Sequence, residues 1–146
     1  AGTKTMYKHI LVPLDNTAAD KVILDHLRLL ARFTGSRLTL IHVADGFVAR
    51  NQERLAESPE MTEDRDYLHR LRDEWRADGF TVEAVLATGE PTREILAFAA
   101  ANQCDLIAMS THGHGLLGDL VLGSVASEVR HRTEIPILMI RAPKKA

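Results

Sequence analysis

The chain has 146 residues, 45% of them hydrophobic, enough to bury a core without disulfides or metal staples. Charged residues make up 26% and the formal net charge is −2, so the basic excess that would neutralise a nucleic-acid backbone is absent and nucleic acid is not expected as the main partner. Cys104 is the only cysteine, which excludes an intrachain disulfide and a four-thiolate metal site and is compatible with a reducing cytoplasm, the expected location.

No apolar run approaches the ~20 residues of a membrane span, and the N-terminus has no long apolar stretch of a secretory signal. Met6 reads as the native start, with residues 1–5 as a cloning remnant. The whole of 1–146 reads as a single domain. His9 to Leu14 is a short apolar run ending in Asp15, Asn16 and Thr17, the pattern of a buried strand followed by a turn. Thr17 and Asp20 have capping-box spacing, and Ala19, Ile23, Leu27, Leu30 and Phe33 recur at helical spacing until Gly35. Arg37 to Val43 is a second strand-like run, in which His42 reads as a hydrogen-bonded core residue. The polar stretch from Ala44 to about Ser58 is the longest irregular connection.

Ser58 as a cap and Pro59 at the first helical position predict a second helix, with Met61, Leu68, Leu71 and Trp75 on its apolar face before Gly79. Thr81 to Thr88 is then a strand, Pro91 to Asn102 a helix, Cys104 to Ser110 a strand, Ser124 to about Arg132 a short helix, and Ile135 to Ile140 a last strand containing Pro136. Apolar strands alternating with helices predict an α/β fold: a doubly wound parallel sheet with helices on both faces. Ligands of such sheets bind beyond the carboxyl ends of the strands, where the winding reverses.

The segment after the fourth strand carries the chemistry. Gly113, Gly115, Gly118 and Gly123 lie within eleven positions, and Ser124 opens the last helix. Glycines let the backbone approach a ligand, and free N–H groups at a helix start suit phosphate. The alternative is that the glycines only make tight turns and Ser124 only caps its helix. Three other motifs fail on context. Gly113, Gly115 and Gly118 fit the dinucleotide-fingerprint spacing but do not follow a first strand. Asp119 and Leu120 stand where a Walker A loop needs Lys and Ser or Thr. His112-Gly113-His114 has the wrong spacing for a nucleotidylyltransferase signature.

The wider pattern resembles the universal stress protein family. It comprises Ser110-Thr111-His112-Gly113, nine residues, then Gly123-Ser124-Val125-Ala126, together with His9 to Asp15, Leu40 to Val43, Gly89-Glu90-Pro91 and Ile135 to Ile140, so the likeness runs from Tyr7 to Arg141. The resemblance implies a five-stranded parallel sheet in the order 3-2-1-4-5 and a dimeric stress-response or regulatory module that binds ATP, ADP or AMP. It implies that Pro13, Asp15 and Val43 line the nucleoside end. Ser110, His112, Gly113, Gly123 and Ser124 would hold the phosphates, with His114, Gly115 and Val125 among the contacts.

Ser110 departs from the family pattern, which has glycine there. Its Cβ would crowd a ligand or its hydroxyl would donate to one. From Thr111 to Ser124 there is no Lys or Arg, so triphosphate binding is expected to lean on Mg²⁺ or Mn²⁺ and AMP or ADP to compete well. Asp15 is either a ligand contact or a plain turn-former. His112 and His114 lack a third clustered ligand for a metal of their own, and Cys104 reads as an inert small hydrophobe. No catalytic constellation can be placed, so at most slow ATP hydrolysis or autophosphorylation is expected. The alternative function is a ligand-free dimerising module of the same fold. In the implied strand order Ile135 to Ile140 forms an apolar sheet edge, which predicts a homodimer through antiparallel pairing of that strand.

Overall fold

The structure, a computed structural model, describes residues 6–45, 59–112 and 120–143. In chain order the elements are β1 (His9–Pro13), α1 (Ala19–Thr34), β2 (Arg37–Asp45), α2 (Pro59–Ala77), β3 (Val82–Gly89), α3 (Pro91–Ala101), β4 (Leu106–His112), α4 (Leu120–Arg132) and β5 (Ile137–Ala142). The five strands form one sheet in the order β3-β2-β1-β4-β5, and every neighbouring pair is parallel, as the resemblance implied.

Successive strand residues point to opposite faces, and the sheet is covered on both. Ile10 and Val12 of β1 pack with Leu38 and Leu40 of β2 against Ile23 and Leu27 of α1 and Leu68 and Trp75 of α2. Leu11, Ile41, Ile107 and Met109 face the other way, against Ile95 and Ala99 of α3 and Val125 and Val129 of α4. β1 is central, which is why all of its residues are buried and its sequence reads as an unbroken apolar run.

The apolar stripe of α1 is rotated from the expected one. Ile23, Leu27 and Ala31 are buried with Leu24, whereas Leu30 is half-buried and Phe33 is 91% exposed. At about 100° per residue Phe33 lies roughly a third of a turn from the centre of that stripe. Gly35 ends the helix as expected, with φ 69° and its N–H on the Ala31 carbonyl.

The capping box is also corrected. The residue before α1 is Ala18, which offers no side-chain cap, and Thr17 donates its hydroxyl to Asp15 at 2.5 Å instead of accepting from the helix. In α2, Leu68 and Trp75 are buried, while Met61 and Leu71 are half-buried.

Three boundaries at the carboxyl edge differ from the sequence reading. β4 starts at Leu106 and runs to His112, α4 starts at Leu120 rather than Ser124, and β5 starts at Ile137, leaving Pro136 just outside. Pro136 uses its carbonyl to accept from Ile107 at 3.0 Å, the one ladder role open to a residue without an N–H. The connection expected from Ala44 begins after Asp45, and residues 46–58, including the proposed Ser58 cap, lie outside the described residues. Among the described residues no helix is long and apolar enough to cross a membrane.

Candidate functional site

The turn after β1, the end of β2, the start of α3 and the body of α4 meet at the carboxyl edge of the sheet. Pro13, Leu14, Asp15, Ile41, His42, Val43, Pro91, Ile95 and Val125 line a partly open hollow there. Pleating explains the gathering: Pro13 follows Leu11 and Val43 follows Ile41 on the face that packs against α3 and α4. Four residues named from the sequence, Pro13, Asp15, Val43 and Val125, therefore share one hollow.

Ser110 goes elsewhere. It follows Ala108 onto the α1 face of β4, is fully buried, and donates its hydroxyl to the Ala19 carbonyl at 2.6 Å. Its side chain is therefore turned toward α1 and is not among the residues that line the hollow. The reason is strand parity, since the residues that face α3 and α4 are Ile107 and Met109.

The phosphate side is only partly placed. His112 is the last residue of β4, paired with Ala142. Gly113, His114 and Gly115 lie outside the described residues. Gly123 is at the end of the first turn of α4, and Ser124 is its fifth residue, exposed. The amide of Ser124 therefore belongs to the helix's own ladder. The earlier helix start corrects the expectation that Ser124 opens the helix.

Pro91 reaches the hollow because α3 is firmly started. Gly89 ends β3 with φ 135°, and Glu90 caps the helix by accepting from the N–H groups of Thr92 at 3.1 Å and Arg93 at 2.7 Å. Pro91 then occupies the first helical position, where its missing N–H costs nothing. The two backbone hydrogen bonds, that from Arg93 foremost, hold the Glu90 carboxyl below the usual carboxylate range.

Sequence reasoning missed Asp20 and the polar belt behind Asp15. Asp20 is 1% exposed. It accepts from the N–H of Asp15 at 3.1 Å, the N–H of Asn16 at 2.9 Å and the hydroxyl of Tyr67 at 2.6 Å. Burial raises its pKa to about 7, against the Tyr67 hydrogen bond, with the nearby Asp15 charge pushing the same way as burial. Burial likewise drives the Tyr67 phenol upward, with the Asp20 charge adding to it.

Asn16 donates its side-chain amide to Asp64 at 3.1 Å. Asp64 also lies 3.0 Å from His42 Nε2, while His42 Nδ1 is 2.8 Å from the Leu14 carbonyl. A signal for Asp20 was present in the sequence, because its spacing to Ile23, Leu24 and Leu27 puts it on the apolar face of α1. Cys104 is buried, and burial pushes its thiol up to about 11, the setting of an inert residue.

A profile described as the Universal stress protein family matches residues 6–141. "Universal stress protein MJ0531" of Methanocaldococcus jannaschii is 28% identical over 97% of this chain and 86% of its own. The solved structure of protein MJ0577, from the same organism, superposes with a TM-score of 0.81 at 26% identity, over 96% of this chain and 99% of that one. A universal stress protein from Archaeoglobus fulgidus, solved in complex with dAMP, superposes with a TM-score of 0.69 at 22% identity, over 92% of this chain and 98% of that one.

Proposed function

Since the chain belongs to the universal stress protein family, we propose that it binds an adenine nucleotide at the carboxyl edge of its sheet and acts as a homodimeric regulatory module. The observation that carries the reading is the convergence of Pro13, Asp15, Val43 and Val125 on one hollow at the carboxyl ends of β1 and β2. A relative of the same fold holds dAMP, an adenine nucleotide with a single phosphate.

The base and sugar sit against Pro13 and Val43, with the Asp15 carboxylate accepting from a ligand hydroxyl or amine. The phosphates are assigned to the family-pattern residues Ser110, His112, Gly113, Gly123 and Ser124, with His114 and Gly115. No Lys or Arg lies between Thr111 and Ser124, so each added phosphate brings charge that the chain does not offset. AMP and ADP therefore bind about as well as ATP without metal. Mg²⁺ or Mn²⁺, bound together with the phosphates, would supply that missing positive charge and so strengthen ATP selectively.

Calorimetric titration with AMP, ADP and ATP, with and without Mg²⁺, tests this. Asp15→Ala is expected to weaken all three nucleotides by a similar factor of about tenfold, the loss of one charge-assisted hydrogen bond. Metal-independent preference for ATP would overturn the charge argument. Ser110, standing where the family pattern has glycine, favours a second reading, a ligand-free module of the same fold. Mass spectrometry of the denatured protein separates the two, because co-purified adenine nucleotide supports only the first.

A further inference from the structure

Behind the hollow, one buried carboxylate collects donors from two separate elements. The Asp15 and Asn16 amides lie in a turn where Asn16 has φ 60° and no strand or helix ladder serves them. Amides withdrawn even partly from water need an acceptor, and Asp20 supplies it for both. The third donor, the Tyr67 hydroxyl, comes from α2, on the far side of the polar connection in sequence. A second tie runs in parallel from Asn16 to Asp64, three residues before Tyr67 and hence on the same face of α2.

We propose that Asp20 is a positioning residue that makes the placement of Asp15 in the hollow depend on the docking of α2, so that nucleotide binding and the seating of that helix are one linked equilibrium. This rests on the nucleotide reading of the hollow. Neither Asp20 nor Tyr67 lines the hollow, so both act through Asp15. The groups that bear on the clamp are the Asp15 carboxylate from the turn, Tyr67 and the nearby Arg70 from α2, and His42 of β2 through Asp64. α2 docks by the buried Leu68 and Trp75, with Tyr67 and Leu71 half-buried against the same core. By reciprocity, a ligand that fixes Asp15 must tighten α2 by the same factor that α2 tightens the ligand.

The test compares the intact wild type with Tyr67→Phe, which removes the tie and keeps the ring, and with Asn16→Gly, which cuts the second tie and tolerates the positive φ. Three readouts are taken: AMP affinity by calorimetry, hydrogen exchange over residues 14–24 and over α2, and the Asp20 carboxyl carbon resonance against pH. In both variants AMP binding is expected to weaken at least about threefold, the scale of one hydrogen bond, and exchange to rise in the turn as well as in α2. AMP is expected to slow exchange in α2 of the wild type. Tyr67→Phe moves the Asp20 titration upward, because the tyrosine bond opposes burial.

If exchange rises in α2 alone and AMP affinity is unchanged, the coupling is wrong. If the wild type binds no AMP, the nucleotide reading falls instead. The coupling is then decided by exchange in the turn and by the Asp20 titration, neither of which needs a ligand.

Discussion

Asp20 keeps its proton through a range in which an exposed carboxylate has already lost it, and this makes one residue a source of pH dependence. Its folded value of about 7 stands above the ordinary unfolded value of roughly 3.9. Between those limits the folded chain binds the proton more tightly than the unfolded chain. The stability this provides is complete below the unfolded value and is lost as pH rises through about 7. Asp20→Asn carries no such dependence. The stability of the wild type relative to Asp20→Asn should therefore fall as pH is raised from 4 to about 7 and level off above it. Urea unfolding of both proteins across that range checks this, and a constant difference would refute it. Tyr67 and the Asp15 turn are within hydrogen-bond reach, so the difference reports the whole clamp rather than an isolated carboxyl.

Among the elements, α3 shows how a short sequence signature becomes a placed side chain. Gly89, Glu90 and Pro91 end a strand, cap a helix and open it within three residues. Glu90→Ala removes both cap hydrogen bonds and should cost about 1 kcal/mol. In thermal unfolding that appears as a drop of a few degrees, roughly 2–8 °C for a chain of this size. The capping contribution is present above the ordinary carboxylate range and disappears as pH falls through the depressed Glu90 value, so the variant and the wild type should converge in acid. The helix pattern was less readable in α1 and α4. Phe33 fits a helical repeat yet is exposed, because a repeat fixes which residues share a face and not which way the face is turned. The start of α4 was placed four residues late because Gly123 reads as a breaker, whereas the structure carries it inside the helix.

For the molecule as a whole, the open question at the sheet's edge is β5. Ile137, Leu138, Met139 and Ile140 are half-buried on a strand that pairs only with β4 among the described residues. We propose that the same strand of a second copy covers it by antiparallel pairing, with the edge running Ile137–Ala142 rather than from Ile135. Sedimentation equilibrium should give a dimer at micromolar concentration, and Ile140→Lys should shift it to monomer. A wild type that sediments as a monomer would remove the dimer and leave the nucleotide hollow untouched, since its lining residues come from elements other than β5.

The alternation of apolar strands with helices was legible in the sequence from local periodicity. The strand order and the grouping of Pro13, Asp15 and Val43 were implied only by the family resemblance, because periodicity does not say which strands become neighbours. Tertiary structure alone decided that Ser110 turns its hydroxyl into the core and that Asp20 reaches back past Thr17 to Asp15, Asn16 and Tyr67. Those outcomes depend on strand parity and on a helix packed from 47 residues away in sequence. A chain read residue by residue states which groups need partners, and only three-dimensional packing determines which partners arrive.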